Sequence, residues 1–140
     1  QTLSESVDTK RFLGNAKLFL FPLQWEEPFG LVIVESLAAG TPIVAFAKGS
    51  LPDIVRDGVN GFLVNPSDDD VRGNFIIKKT GLAGIAEAVE RIYAMSSEEY
   101  KIMRKKCRQI AEEKFTVARM VDQYEAVYKK LEHYGSDQEI

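Results

Sequence analysis

The sequence predicts an α/β domain built on a parallel sheet with helices on both faces. Three observations carry that reading. The short apolar runs KLFLF and PIVAF lack polar alternation and are separated by a helix-length segment rather than a hairpin turn, which is how strands buried on both faces of a parallel sheet read. Gly, Pro, Asn and Asp punctuate the ends of these runs, as turns require. The second half of the chain then carries three apolar stripes at helical spacing. At 140 residues and 45% hydrophobic, the chain is long enough to bury one core and is read as a single domain over residues 1–140.

In order along the chain, residues 8–16 (DTKRFLGNA) are expected to form a short helix capped by Asp8. The run 18–21 follows as a central strand, covered on both faces and ended by Pro22. After a loop, residues 29–39 are expected to be helical and to stop at Gly40. Residues 42–46 form the second buried strand. Gly49-Ser50-Leu51-Pro52-Asp53 restarts a helix, with Ser50 and Asp53 spaced as in a capping box and proline in the first turn. Asp57-Gly58 and Asn60-Gly61 turn the chain into a third strand at 62–64. Strand, helix, strand, short helix, strand is an α/β plan with parallel crossovers.

Residues 65–80 are polar, with Asp68-Asp69-Asp70 and Gly73, and read as an exposed loop holding one apolar trio, Phe75-Ile76-Ile77. Three helices are expected beyond it. The first carries Leu82, Ile85, Ala86, Val89, Ile92 and Tyr93. The second starts at a Ser96/Glu99 capping box and carries Tyr100, Met103, Cys107, Ile110 and Ala111. The third is capped by Thr116 and carries Val117, Val121, Tyr124, Tyr128 and Leu131 at alternating four and three spacing. All three stripes are read as core packing, which makes Cys107 a buried, inert thiol.

Lys plus Arg number 18 against 21 acidic residues, a net charge of −3. Without a basic run interleaved with aromatics, the composition offers no nucleic-acid surface. Cys107 is the one cysteine, so neither an internal disulfide nor a cysteine zinc cluster is available, and a reducing cytoplasm is expected. The apolar stretches fall short of the ~20 residues a membrane span needs, and the N-terminus lacks the order of a signal peptide.

The chemistry concentrates at residues 25–46, WEEPFGLVIVESLAAGTPIVAF. Ligands of open parallel sheets bind beyond the carboxyl ends of the strands, where strand-to-helix loops converge. Pro28 keeps Glu27 in extended backbone, outside the helix. Phe29, Gly30 and Leu31 offer first-turn N–H groups without helical partners, and Gly30 permits close approach. Glu27 offers only acceptors, and together with those donors suits a polyhydroxyl ligand, whose every hydroxyl both donates and accepts. Glu35, on a run otherwise Leu, Val, Ile and Val, has the chemistry to hold the vicinal hydroxyls of a ribose. The residues alone leave a second reading open, in which Glu27 is a favourable charge at a helix start and Glu35 a solvated position. Trp25, Lys48, Gly49 and Ser50 border the same crevice and are candidates to line it.

These residues carry a family resemblance. Glu27-Pro28-Phe29-Gly30-Leu31, Glu35 eight positions after Glu27, Ala39-Gly40-Thr41-Pro42-Ile43-Val44-Ala45, Gly49-Ser50-Leu51-Pro52-Asp53 and Gly61-Phe62-Leu63-Val64 before Pro66 resemble the donor-binding region of retaining glycosyltransferases of the GT-B fold, the family 4 group. The resemblance is close over residues 8–66 and looser in the final helices, including Phe115-Thr116. It implies a Rossmann-like sheet and transfer of a sugar from a nucleotide-sugar donor, such as a UDP-, GDP- or ADP-sugar, to an acceptor hydroxyl with retention. No metal or other cofactor is implied. Glu27 is the implied catalytic-site carboxylate, a positioning group for the transferred sugar; Phe29, Gly30 and Leu31 contact sugar and diphosphate, and Glu35 holds the nucleotide ribose. Asp68-Asp69-Asp70 is read as a solvated turn, not a metal site.

Such transferases bind the acceptor, whether glycan, lipid or small molecule, mainly in an N-terminal domain. That domain, the opening strands of the donor domain and the basic pair that holds the diphosphate have no counterpart in this sequence; Lys48 and Arg56 match no such position. The chain is therefore expected to be the C-terminal, nucleotide-sugar-binding part, inactive alone, that meets its N-terminal domain or self-associates through an uncovered strand edge. Peripheral membrane contact by the parent enzyme is left open. Two alternatives stand beside it: a nucleotide-sugar epimerase-like domain, and a non-catalytic binding or assembly module.

Overall fold

Side-chain alternation in one four-residue strand divides the core in two. The computed structural model describes residues 8–136, so sequence readings at 1–7 and 137–140 lie outside the described residues. In chain order the elements are α1 (Thr9–Asn15), β1 (Phe19–Phe21), α2 (Leu31–Ala38), β2 (Ile43–Phe46), α3 (Leu51–Ile54), β3 (Gly61–Val64), α4 (Gly81–Ala94), α5 (Ser97–Lys114) and α6 (Val117–Ser136). The sheet order is β1-β2-β3 and both pairs are parallel, with Val44 between Leu20 and Phe62. Every residue of β2 and β3 is buried. Successive strand side chains point to opposite faces. Ile43 and Ala45 accordingly pack with Ile33, Leu37, Leu51 and Cys107, while Val44 and Phe46 pack with Ile77, Ile85, Ala88 and Ile92. Helices thus cover both faces of a Rossmann-like parallel sheet, the layering the sequence predicts.

Buried polar groups fasten the layers. Asn60, fully buried, accepts from the Arg56 amide at 2.7 Å and donates to the Ile54 carbonyl at 3.2 Å. Its own carbonyl accepts from the Ile43 amide at 3.2 Å and from the Cys107 thiol at 3.4 Å. Thr41 donates to the Leu13 carbonyl at 2.7 Å and ties α1 to the start of β2. Arg104 and Arg108 on α5 donate to Gly14, Ala39 and Ala38 carbonyls, acceptors that helix ends leave unpaired.

The capping residues Asp8, Thr116 and the Ser96/Glu99 box all form as the sequence predicts. Five expectations are corrected. β1 is an edge strand among the described residues, not a central one, and Leu20 is 46% exposed. The 29–39 helix begins only at Leu31, because Gly30 sits at φ 76° in the left-handed region. On α4 the buried side is Gly84, Ile85, Ala88 and Ile92, leaving Leu82 and Tyr93 exposed; Gly84 lets the helix approach Val64 and the Lys79 backbone, where a Cβ would clash. The 65–80 segment is a loop as expected but not exposed throughout: Asn65 and Ile77 are buried and Phe75 packs on the core from the other side of the sheet. On α6, Val117, Val121, Tyr124, Tyr128 and Leu131 are all exposed, so this stripe is not core among the described residues. No described helix is long and apolar enough to cross a membrane.

Burial pushes the Cys107 thiol up to about 12, consistent with an inert thiol, since thiolate is the reactive form. A thiol-reactive disulfide reagent at pH 8 is expected to leave the native protein unmodified and to label it fully in denaturant; rapid labelling of native protein would contradict the buried placement.

Candidate functional site

The loop between β1 and α2 holds the predicted residues, and its shape follows from what grips it from below. Gly49 and Ser50, in the turn after β2, clamp it at three points. The Gly49 amide donates to the Glu26 carboxylate, the Ser50 amide to the Glu27 carbonyl at 2.8 Å, and the Ser50 hydroxyl to the Phe29 carbonyl at 3.0 Å. The approach is too close for any side chain at Gly49, where a Cβ would lie 2.2 Å from the Glu27 carbonyl oxygen and 2.4 Å from its nitrogen. Its φ of +54° is also one that L side chains rarely adopt.

This clamp replaces the capping box expected at Ser50 and Asp53. Ser50 has helical backbone angles, φ −75° and ψ −10°, and makes no side-chain cap bond. A cap hydroxyl reaches its amide from extended backbone, so the Ser50 hydroxyl turns to the loop instead.

Above the clamp, Glu27 is partly buried and its Oε2 accepts from the indole Nε1 of Trp25 at 3.2 Å. Trp25 is exposed, and its indole donates to the carboxylate from the solvent side of the loop. Gly30 forms the N-cap of α2 without any side-chain cap. A Cβ there would fall 2.5 Å from the Ile33 side chain. The amides of Phe29, Gly30 and Leu31 donate to no acceptor among the described residues, leaving donors at the positive end of the α2 dipole.

Leu31, Val34 and Glu35 share the outer face of α2, opposite buried Ile33, Ser36 and Leu37, as three- and four-residue spacing dictates. Glu35 is exposed. It lines a groove of about 530 Å³ with Lys10, Val34, Arg108, Glu112 and Phe115. A second groove, about 760 Å³, runs between the loop and α6 and is lined by Phe29, Leu31, Val34, Ser50, Phe115 and Tyr124 among others. Val34, Phe115 and Thr116 border both grooves. Glu27 and Trp25 sit on the loop outside either groove.

Lys48, on the turn after β2, has a side chain 14% exposed that pairs with Asp70 at 3.4 Å. Asp70 is correspondingly not merely solvated. It also pairs with Arg72, which in turn reaches Glu26 at 2.8 Å. The Gly49 amide, then Arg72, hold the Glu26 carboxyl below its ordinary value of 4.5; Arg72, then Lys48, hold Asp70 below 3.8. Sequence reasoning missed Glu26 and Arg72, which stand 46 positions apart with no local pattern linking them. Among the described residues no group of three His, Cys, Asp or Glu is placed to hold a metal ion.

A family model described as glycosyl transferases group 1 matches residues 2–114. The alpha-maltose-1-phosphate synthase of Mycobacterium tuberculosis is 32% identical over 125 residues, 87% of this chain and 29% of that protein. Among solved structures, sucrose-phosphate synthase from Thermosynechococcus elongatus superposes with a TM-score of 0.70 at 28% identity, over 88% of this chain and 27% of that one. HepE of Anabaena, solved in complex with UDP and glucose, superposes at 0.66 and 26% identity, over 89% and 30%. The chain thus spans less than a third of the length of these relatives.

Two outcomes follow from the clamp. Gly49→Ala is expected to cost about 2 kcal/mol or more in urea unfolding and to change the emission of Trp25, the one tryptophan; wild-type stability would contradict the close approach. A depressed carboxyl keeps its native bonds above its ordinary value and loses them as pH falls through the lowered one. The Gly49 amide resonance should therefore titrate with a midpoint below 4.5, the ordinary value for Glu26, and a midpoint at or above it would break the assignment.

Proposed function

The chain belongs to the glycosyl transferases group 1 family, and from that premise we propose that it is the donor-binding part of a retaining, hexosyltransferase-type enzyme of the family 4 type. The observation that supports this most directly is the uncapped start of α2 beside an oriented carboxylate. Gly30 leaves the Phe29, Gly30 and Leu31 amides without acceptors, and such a helix start is suited to a diphosphate. Glu27, held by Trp25, accepts from hydroxyls of the transferred sugar. Glu35 lies about 6 Å along the helix axis from Leu31 at 1.5 Å rise per residue, on the same face, and receives the ribose hydroxyls.

In this reading the bond from the anomeric carbon to the diphosphate oxygen breaks, and its electron pair leaves with the diphosphate. The acceptor hydroxyl oxygen bonds to the same face of that carbon, and its proton passes to the departing phosphate oxygen. The free amides and the helix dipole stabilise the charge that develops on the leaving group. No metal ion or other cofactor enters these steps. HepE's complex with UDP and glucose supports a uridine donor over guanosine or adenosine. The acceptor is bound by a separate N-terminal domain of a longer protein, as the short share of each relative supports, so this chain alone binds donor without transferring it. A cytoplasmic location accords with the single thiol.

The ribose assignment is tested by calorimetry with UDP and 2′,3′-dideoxy-UDP. Glu35→Gln is expected to weaken UDP binding about tenfold or more, the range of charge-assisted hydrogen bonds, and to leave the dideoxy nucleotide's affinity unchanged. Equal losses for both nucleotides would show that Glu35 does not hold the ribose, and unchanged affinity for both would favour a non-catalytic module.

A further inference from the structure

The sequence places two glutamates side by side, Glu26 and Glu27, and the structure gives them opposite employments. Glu26 turns inward. Its Oε1 accepts from Arg72 at 2.8 Å and its Oε2 from the Gly49 amide. Glu27 turns to Trp25. Adjacent residues share a planar peptide unit, so holding the Glu26 side chain restrains the backbone from which Glu27 projects.

Arg72 is itself firmly mounted. Its amide and that of Gly73 donate to the Asn65 side-chain oxygen at 2.7 and 3.1 Å, and the Asn65 side-chain nitrogen donates to the Gly73 carbonyl at 2.9 Å. Asn65, only 8% exposed, follows β3 directly. The Arg72 guanidinium also binds both oxygens of Asp70, and Asp70 is braced by Lys48. The result is a chain of alternating charge, Lys48, Asp70, Arg72, Glu26, running from the ends of β2 and β3 to the β1–α2 loop.

We propose that Arg72 is a positioning residue for Glu27: by holding Glu26 against the sheet end it aims the neighbouring carboxylate at the transferred sugar. This rests on the donor-site reading above. The ion pairs are partly exposed, with side-chain exposure of 36% at Arg72 and 54% at Glu26, and pairs of that kind add little to stability. Their contribution is direction. Arg72 touches Glu26 and not Glu27, so it acts through the loop rather than on the sugar.

Two readouts test this. Trp25 is the one tryptophan, so a nitrogen-correlated NMR spectrum carries a single indole N–H signal, and that proton is the one donated to Glu27. Arg72→Ala is expected to move this signal toward its position in Glu27→Gln, with Arg72→Lys intermediate and the unfolding midpoint nearly unchanged. It should also weaken UDP-glucose by up to about fivefold, the limit for exposed ion pairs, while leaving UDP, which lacks the sugar, at wild-type affinity. An indole signal unmoved in Arg72→Ala would overturn the proposal, as would equal losses for UDP and UDP-glucose. If the signal moves as expected but wild-type protein binds UDP and UDP-glucose equally, Arg72 positions Glu27 and the sugar-contact reading of Glu27 fails instead.

Discussion

The site depends on a contact with no room for a Cβ: Gly49 packed against the backbone of Glu27. Because that approach is so short, the turn after β2 fixes the height of the β1–α2 loop, and the loop fixes where α2 begins. Ser50 adds two bonds to the same loop, at the Glu27 and Phe29 carbonyls. The carbonyls face the sheet and the amides that follow are left without partners. The exposed donors at α2 are thus a consequence of the clamp beneath them, and an ordinary side chain at position 49 would separate the two.

The energetics divide along the same line. Stability resides in β2, β3 and the apolar faces of α2, α4 and α5, where fully buried aliphatic side chains contribute about 1.5–3 kcal/mol each. The loop contributes direction. Its polar bonds and the alternating charges from Lys48 to Glu26 lie at the surface, where ion pairs are weak, yet they orient two carboxylates differently within two residues. Lys48 is paired with Asp70, and the donors left without acceptors at the α2 start are backbone amides.

Much of this was legible in the sequence, and the failures share a cause. The buried strands, the Asp8 and Thr116 caps and the Ser96/Glu99 box are local patterns, and each formed because no tertiary partner competed for the same groups. Ser50 and Asp53 have the spacing of a cap, but the Phe29 carbonyl took the hydroxyl. The Glu26–Arg72 pair joins two loops through the ends of β1 and β3, and nothing in either stretch marks the other. The stripe on α6 shows the limit of periodicity: it identifies an apolar face without saying what covers it, and on α6 that face is exposed. On α4 the helix position was right and the buried side was turned by Gly84, whose missing Cβ brings the helix onto Val64. Glu27, Phe29, Gly30 and Leu31 lie together because they are neighbours in sequence; Glu35 shares the outer face of α2 with Leu31 because four residues make about one helical turn.

The amides opening α2 are proposed to receive the diphosphate of a nucleotide donor. Amide-resolved NMR titrations of this chain with UDP and with UMP test it most directly, since the two ligands differ only in the phosphate those amides would bind. UDP is expected to shift the Phe29, Gly30 and Leu31 amides, and UMP to leave these three nearly in place while perturbing residues around Glu35. A well-dispersed spectrum in which the three amides stay silent to millimolar UDP, GDP and ADP alike would contradict it.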